Sequence, residues 1–153
     1  MSKSRPPQIP AFAKAMMQFQ AFLLRRNWMG KMGEEIMVIH VTGRKSGKKY
    51  ATPIGYLPDG EAILALTNGQ NPSNWYRNAL NAAEVTLEIK GRPVRATAEA
   101  VTDPAERQRI FALYRRERVA NFARLFGIPA DASEAELQKA LETRRFVRFR
   151  PVT

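Results

Sequence analysis

Apolar and polar positions along this chain follow two rhythms, and the switches between them mark its elements. From Ala11 to Trp28, Phe12, Met16, Phe19 and Leu23 recur at helical spacing, with Phe22 beside them and Lys14, Gln18, Gln20 and Arg25 facing elsewhere. That is the pattern of an amphipathic helix. Residues 1–10, with three prolines, are expected to form a flexible arm before it. Beyond Gly30 and Gly33 the spacing changes. Ile36, Val38 and Val41, then Ala51, Ile54 and Tyr56, predict two β-strands joined at Gly43-Arg44-Lys45-Ser46-Gly47. Pro53 cannot donate a ladder hydrogen bond, so the second strand is expected at an edge or at a bulge.

Pro58-Asp59-Gly60 reads as a turn, and Ala62 to Thr67 as a third strand completing a meander. After the polar loop Asn68-Gly69-Gln70-Asn71-Pro72, Ser73 is placed to cap a short helix from Asn74 to Leu80. Glu84 to Lys90 and Arg92 to Val101 alternate as two strands around Gly91. Thr102 or Asp103, with Pro104 behind it, opens a helix that Ile110, Leu113, Phe122, Leu125 and Phe126 carry to Gly127. Ser133 and Glu136 form a capping box for a further helix through Leu137 and Leu141. Arg145 to Pro151 is a sixth strand, with Val147 and Phe149 on one side and Arg148 and Arg150 on the other. Six short, mostly antiparallel strands with inserted helices predict an α+β, mainly β domain, a small closed or partly closed barrel spanning 11–153.

Composition narrows the chemistry. The 153 residues suit a single domain with a real core, and there is no cysteine and a single histidine, His40. Disulfides, thiolate metal sites and His clusters are thereby excluded. No run of about 18 apolar residues predicts a membrane span, so a soluble, cytoplasmic protein is expected. The formal charge of +11 favours a polyanionic partner: nucleic acid, an anionic membrane or a phosphorylated small molecule. A membrane reading would use the N-terminal helix as a weak peripheral contact; packing on its own domain is the other reading. Arg107, Arg109, Arg115, Arg116 and Arg118 form either a solvated face or a binding stripe.

The turn at 43–47 is the most concentrated basic element. Arg44 offers a planar fork and Lys45 a point charge for phosphate or carboxylate oxygens, between glycines that permit positive φ and close backbone approach. A solvated hairpin tip has the same composition, so both readings stand. It is not a P-loop, because three residues separate the glycines and Lys49 stands where serine or threonine would follow the lysine.

Four pieces in order, Thr42-Gly43-Arg44-Lys45-Ser46-Gly47, Thr52-Pro53, Thr67-Asn68-Gly69 and Asn74-Trp75-Tyr76-x-Asn78-x-x-x-Ala82, give residues 37–101 a resemblance to the deazaflavin-dependent nitroreductase family. The resemblance implies a split β-barrel that binds coenzyme F420. It implies that Arg44, Lys45 and Ser46 meet the coenzyme's phosphate and tail carboxylates, and that Tyr50, Ala51 and Thr52 contact it from the second strand. It also implies that Ala65, Leu66, Thr67 and Asn68 bring backbone beside the ring, and that Asn74, Trp75 and Asn78 line the cradle. Tyr50 and Thr52 stand where relatives carry arginine and asparagine, and Asn68 where some carry lysine. Trp75 read alone is a helix anchor in the core.

The function expected is F420-dependent hydride transfer to a small organic acceptor: a quinone, nitroaromatic or activated alkene. The coenzyme does the redox chemistry, so no protein nucleophile is needed, and the proton comes from Tyr56, Tyr114 or water. The alternatives are a non-catalytic module holding F420, FMN or haem, and a basic nucleic-acid binder. F420 is favoured over FMN, and no nucleic-acid partner is expected.

Overall fold

The computed structural model describes Lys14 and residues 35–152. The expected arm at 1–10 and, Lys14 apart, the N-terminal helix at 11–28 therefore lie outside the described residues. Strands β1 (Ile36–Thr42) and β2 (Lys49–Gly55) form the hairpin, in antiparallel register from Ile36 opposite Gly55 to Thr42 opposite Lys49. Pro53 is tolerated because β2 is an edge strand laddered to β1 alone. The unbroken register excludes the bulge.

The chain then departs from the expected meander. Only Tyr56 separates β2 from a further short strand, β3 (Leu57–Asp59), which pairs with β4 (Ala62–Asn68) at the opposite end of the sheet. One residue cannot reverse the chain. The backbone therefore runs straight on, its first half paired to β1 and its second to β4, with the Tyr56 amide donating to the Glu35 carbonyl at 2.8 Å. After α1 (Asn74–Asn81) come β5 (Val85–Ile89), β6 (Arg92–Val101) and, last in the chain, β7 (Arg144–Pro151). The order β2-β1-β5-β6-β7-β4-β3 makes seven antiparallel strands rather than six. Because its outermost strands are joined through Tyr56, the sheet curls on itself as an open barrel.

Burial on both sheet faces gives two cores. Met37, Ile39 and Val41, alternate residues of β1, meet Ile63 and Ala65 of β4, Leu87 of β5, Val147 and Phe149 of β7, and Trp75 and Ala79 of α1 inside the barrel. The other face of β4 and β7 offers Leu64 and Phe146 to Ile110, Phe111, Tyr114, Phe122, Phe126, Leu137 and Leu141 on the helices. So β7 is buried on both sides, as a central strand is, and its Arg148 face is not simply polar.

The helix expected to run to Phe126 is broken. It consists of α2 (Pro104–Glu117), a 3₁₀ turn at Val119–Asn121 and α3 (Phe122–Phe126), with Arg118 between at φ −123° and ψ 36°. A straight helix would carry Phe122 about 16 Å beyond Phe111. The break instead brings the two rings within 5.5 Å and Phe126 within 4.9 Å of Phe111. Asp103 is the cap, accepting from the Glu106 amide, and the Ser133–Glu136 capping box opens α4 (Glu134–Glu142). Of the arginines from 107 to 118, Arg116 stays on the solvated face beside its neighbour Glu117, and the other four fasten α2 and its end to the rest of the fold. Arg107 donates to the carbonyls of Leu141 and Arg144 at 3.0 and 2.9 Å and lies over the Phe146 ring. Arg118 donates to the Tyr56 carbonyl at 2.9 Å, and Arg115 to that of Ala130 at 2.7 Å.

Arg109 clasps Asp59 of β3 through two hydrogen bonds of 3.1 and 2.7 Å. Hydrogen bonding from Arg109 holds the Asp59 carboxyl below its usual 3.8. A depressed carboxyl stabilises the fold fully above its ordinary value and stops doing so as pH falls through the lowered one. Asp59→Asn should therefore cost no more than about 1 kcal/mol at neutral pH, as expected for a half-exposed pair. Its melting temperature should converge on that of the wild type in strong acid. Curves that coincide at neutral pH would remove the clasp from the account.

Candidate functional site

The connection between β1 and β2 is closed by its own backbone: the Gly43 amide donates to the Lys48 carbonyl at 2.7 Å and the Gly47 amide to the Gly43 carbonyl at 2.9 Å. The two glycines serve different needs. Gly47 takes a positive φ of 69°, whereas at Gly43 a Cβ would lie 2.7 Å from the Ser46 hydroxyl and from the Tyr50 ring, so a larger residue there would have to push those two side chains aside. The Ser46 Oγ is 3.2 Å from the Tyr50 hydroxyl and accepts the Lys48 amide at 3.2 Å. Turn and strand are thus tied into one piece.

Helix α1 packs against this turn. Its Asn78, 5% exposed, accepts from the Arg44 amide at 3.1 Å and from Arg44 Nη1 at 2.8 Å, both at Oδ1. Trp75, edge-on to Tyr76 at 6.1 Å, belongs to the barrel core and is almost wholly buried. The space between turn and helix is a cavity of about 410 Å³ whose walls include Arg44, Lys45, Ser46, Tyr50, Thr52, Asn74, Trp75 and Asn78. Val41 completes its floor, a residue read from the sequence only as a strand former.

Of the other residues named from the resemblance, none lines this cavity. Ala51 points to the opposite face of β2 from Tyr50 and Thr52, as the two-residue period requires. Ala65 is fully buried in the barrel, and Leu66 borders a different cavity. The Thr67 hydroxyl donates to Ser73 Oγ at 3.1 Å and accepts the Ser73 amide at 3.0 Å. Ser73 thus stands at the N-cap of α1 without capping it by side chain. Asn68 Oδ1 folds the following loop by accepting the amides of Gln70 and Asn71. What 65–68 do offer is backbone, for β3 pairs only as far as Leu64 along that edge of β4.

Tyr56 and Tyr114, named as proton sources, border a separate cavity of about 250 Å³. Tyr114 is buried against Phe126 and Phe146, and burial pushes its hydroxyl well above the usual value for tyrosine. His40 is also buried, which lowers its pKa, with Nε2 3.9 Å from Glu88 Oε2.

Among the described residues, nothing acidic pairs with the charge around the turn. Arg95, Arg109, Arg116, Arg148 and Arg150 all pair with carboxylates. Among the described residues no carboxylate pairs with Arg44, Lys45, Lys48 or Lys49. Arg44 also borders a second, more open cavity of about 570 Å³ together with Arg77 of α1 and Arg145 of β7. Sequence reasoning missed both. Arg77 lies three residues after Asn74 on the same helix, a spacing that could have found it, whereas nothing local points to Arg145. Together the two cavities suit an elongated ligand with an apolar ring and several negative charges.

Residues 12–126 match the F420H(2)-dependent quinone reductase family. The chain belongs to that family. The matched stretch holds the basic turn and α1 and stops short of α4 and β7. Its members are F420-dependent oxidoreductases, so F420 is the cofactor against which the cavity is to be judged. The fold is shared more widely. A FAD-binding protein from Mesorhizobium loti is similar at a TM-score of 0.52 and 12% identity, over 78% of this chain and 82% of that one. General stress protein 26 from Bacillus anthracis gives 0.51 and 12%, over 78% and 81%. An F420-H2 dependent reductase, FDR-A, gives 0.49 and 21%, over 74% and 93%. At such identities the first two likenesses speak to the fold alone.

Proposed function

We propose that the protein binds F420 in the cavity between the β1–β2 turn and α1 and passes a hydride from its reduced form to a small organic acceptor. A quinone, a nitroaromatic or an activated alkene are the acceptor classes considered. The observation that carries this reading is a group of cations with no carboxylate partner among the described residues, Arg44 and Lys45 with Arg77 and Arg145 beyond, set around the apolar wall of Trp75. The coenzyme supplies the hydride; the chain supplies position and field. Arg44 and Lys45 attract phosphate and carboxylate oxygens, Ser46 and Tyr50 offer hydroxyls, and Trp75 gives a flat apolar surface for a ring. Among the described residues Tyr56 and Tyr114 line a separate cavity, which favours water over either of them as the source of the proton that completes reduction.

Calorimetric titration tests the cofactor. F420 should bind more tightly than FMN, whose single phosphate leaves much of the basic surface unused. The affinity should fall with salt, since exposed cations are screened within about 8 to 10 Å at ordinary ionic strength. Equal or tighter FMN binding, or affinity indifferent to salt, would overturn the assignment. Reduced F420 mixed with a panel of acceptors tests catalysis. Oxidation of the coenzyme only when protein and acceptor are both present is expected, and binding without turnover across the panel would leave a cofactor-holding module instead.

A further inference from the structure

The strongest unexplained feature of the site is that its principal cation is held by a neutral group. We infer that Asn78 is the positioning residue for Arg44, fixing the guanidinium at the wall common to the two cavities while leaving its charge intact; the inference rests on the reading of the turn as an anion site.

Both groups that reach Asn78 Oδ1, the Arg44 amide and Nη1, can only donate, so chemistry alone sets the oxygen of the side-chain amide toward them. One buried oxygen therefore fixes backbone and side chain of the same residue. Residue 78 is itself anchored: it is 5% exposed on the face of α1 that carries the core residues Trp75 and Ala79. An aspartate there would hold the arginine at least as firmly, but it would cancel the positive charge that an anion needs. Among the described residues no hydrogen bond uses Arg44 Nε or Nη2. The outer edge of the guanidinium thus remains available to grip two oxygens of one ligand.

The test is a double-mutant cycle read on two probes, inorganic pyrophosphate and F420, with melting temperatures alongside. Pyrophosphate asks about the anion site without invoking the coenzyme. Asn78→Ala should weaken both by about tenfold, the worth of one charge-assisted hydrogen bond that a freed arginine no longer makes to the ligand. In an Arg44→Ala background the same change should cost less than about twofold, because the group it orients is gone. Asn78→Asp, nearly the same shape, should weaken both probes and flatten the salt dependence of F420 binding without lowering the melting temperature, because its charge offsets that of Arg44. The cycle, and not this variant, separates a positioning asparagine from a structural one. Additive losses in the cycle would make Asn78 an independent ligand contact and sink the inference. If Asn78→Ala does not fold, Asn78→Ser takes its place in the cycle with the same expected and contrary outcomes, and unchanged affinity in Asn78→Asp would also sink the inference. Failure of the wild type to bind pyrophosphate while F420 still binds would overturn the positioning role and leave the coenzyme reading standing. Failure to bind either would overturn the site itself.

Discussion

Phe146→Ala should destabilise the protein by about 3 to 5 kcal/mol, the usual cost of emptying a large aromatic from a closed core. The ring is fully buried, stacked on Tyr114 at 5.8 Å, within 6.4 Å of Phe126 and covered by the Arg107 guanidinium at 5.2 Å. Seven segments, α2, α3 and α4 with β3, β4, β6 and β7, meet in this core, so a void there cannot be closed by moving one side chain. Against a total of about 5 to 15 kcal/mol for an ordinary domain, the loss is large. Denaturant titration of both proteins measures it. The cavity between turn and α1 is walled from β1, β2 and α1, none of which contributes to this second core. Below its lowered melting point the variant should therefore bind F420 with unchanged affinity. A loss below about 1 kcal/mol would mean that the helices do not seal this face of the sheet.

Arg44→Ala should weaken F420 binding by about 1 to 3 kcal/mol, roughly 5- to 150-fold, with little change in melting temperature. Two features put it at the top of that range for single polar contacts. Its guanidinium borders both cavities, and no carboxylate among the described residues neutralises it. The fold should tolerate the change because the backbone half of the Arg44–Asn78 link, the amide at 3.1 Å, survives it. Arg44→Lys should recover only part of the affinity, since lysine lacks the planar fork. Early melting of Arg44→Ala would recast the arginine as a structural tie of turn to helix.

Much of this site is legible in the sequence because it is local. The Thr42–Gly47 turn is announced by its glycines and cations, and the Trp75-x-x-Asn78 spacing puts both residues on one side of a helix. Which face of β2 turns to the cavity follows from period alone: Ala51, between Tyr50 and Thr52, has to point away from the cavity that they line. What depends on distant partners is not legible. The break at Arg118 exists to return Phe122 and Phe126 to Phe111, and nothing between Glu117 and Phe122 says so. Strand β3 is too short to show a period, and its partner is set by a one-residue link at Tyr56 that the turn signature of 58–60 conceals. Ser73 occupies the cap position but its hydroxyl oxygen accepts from Thr67, and the guanidinium groups of Arg107 and Arg118 donate to carbonyls far along the chain. A formal charge of +11 therefore overstates how much basic surface is free, and the unpaired share is visible only once the partners are placed.

A particular turn, rather than positive charge in general, is proposed to hold F420, and two lysines separate these possibilities. Lys45 and Lys48 differ by three positions on the same exposed turn and carry the same charge, but only Lys45 lines the cavity. Calorimetric titration of F420 into Lys45→Ala and Lys48→Ala at one ionic strength compares them directly. A loss of about tenfold for Lys45→Ala with less than about twofold for Lys48→Ala is the predicted result; equal losses would mean that the turn attracts the coenzyme only as part of a basic surface.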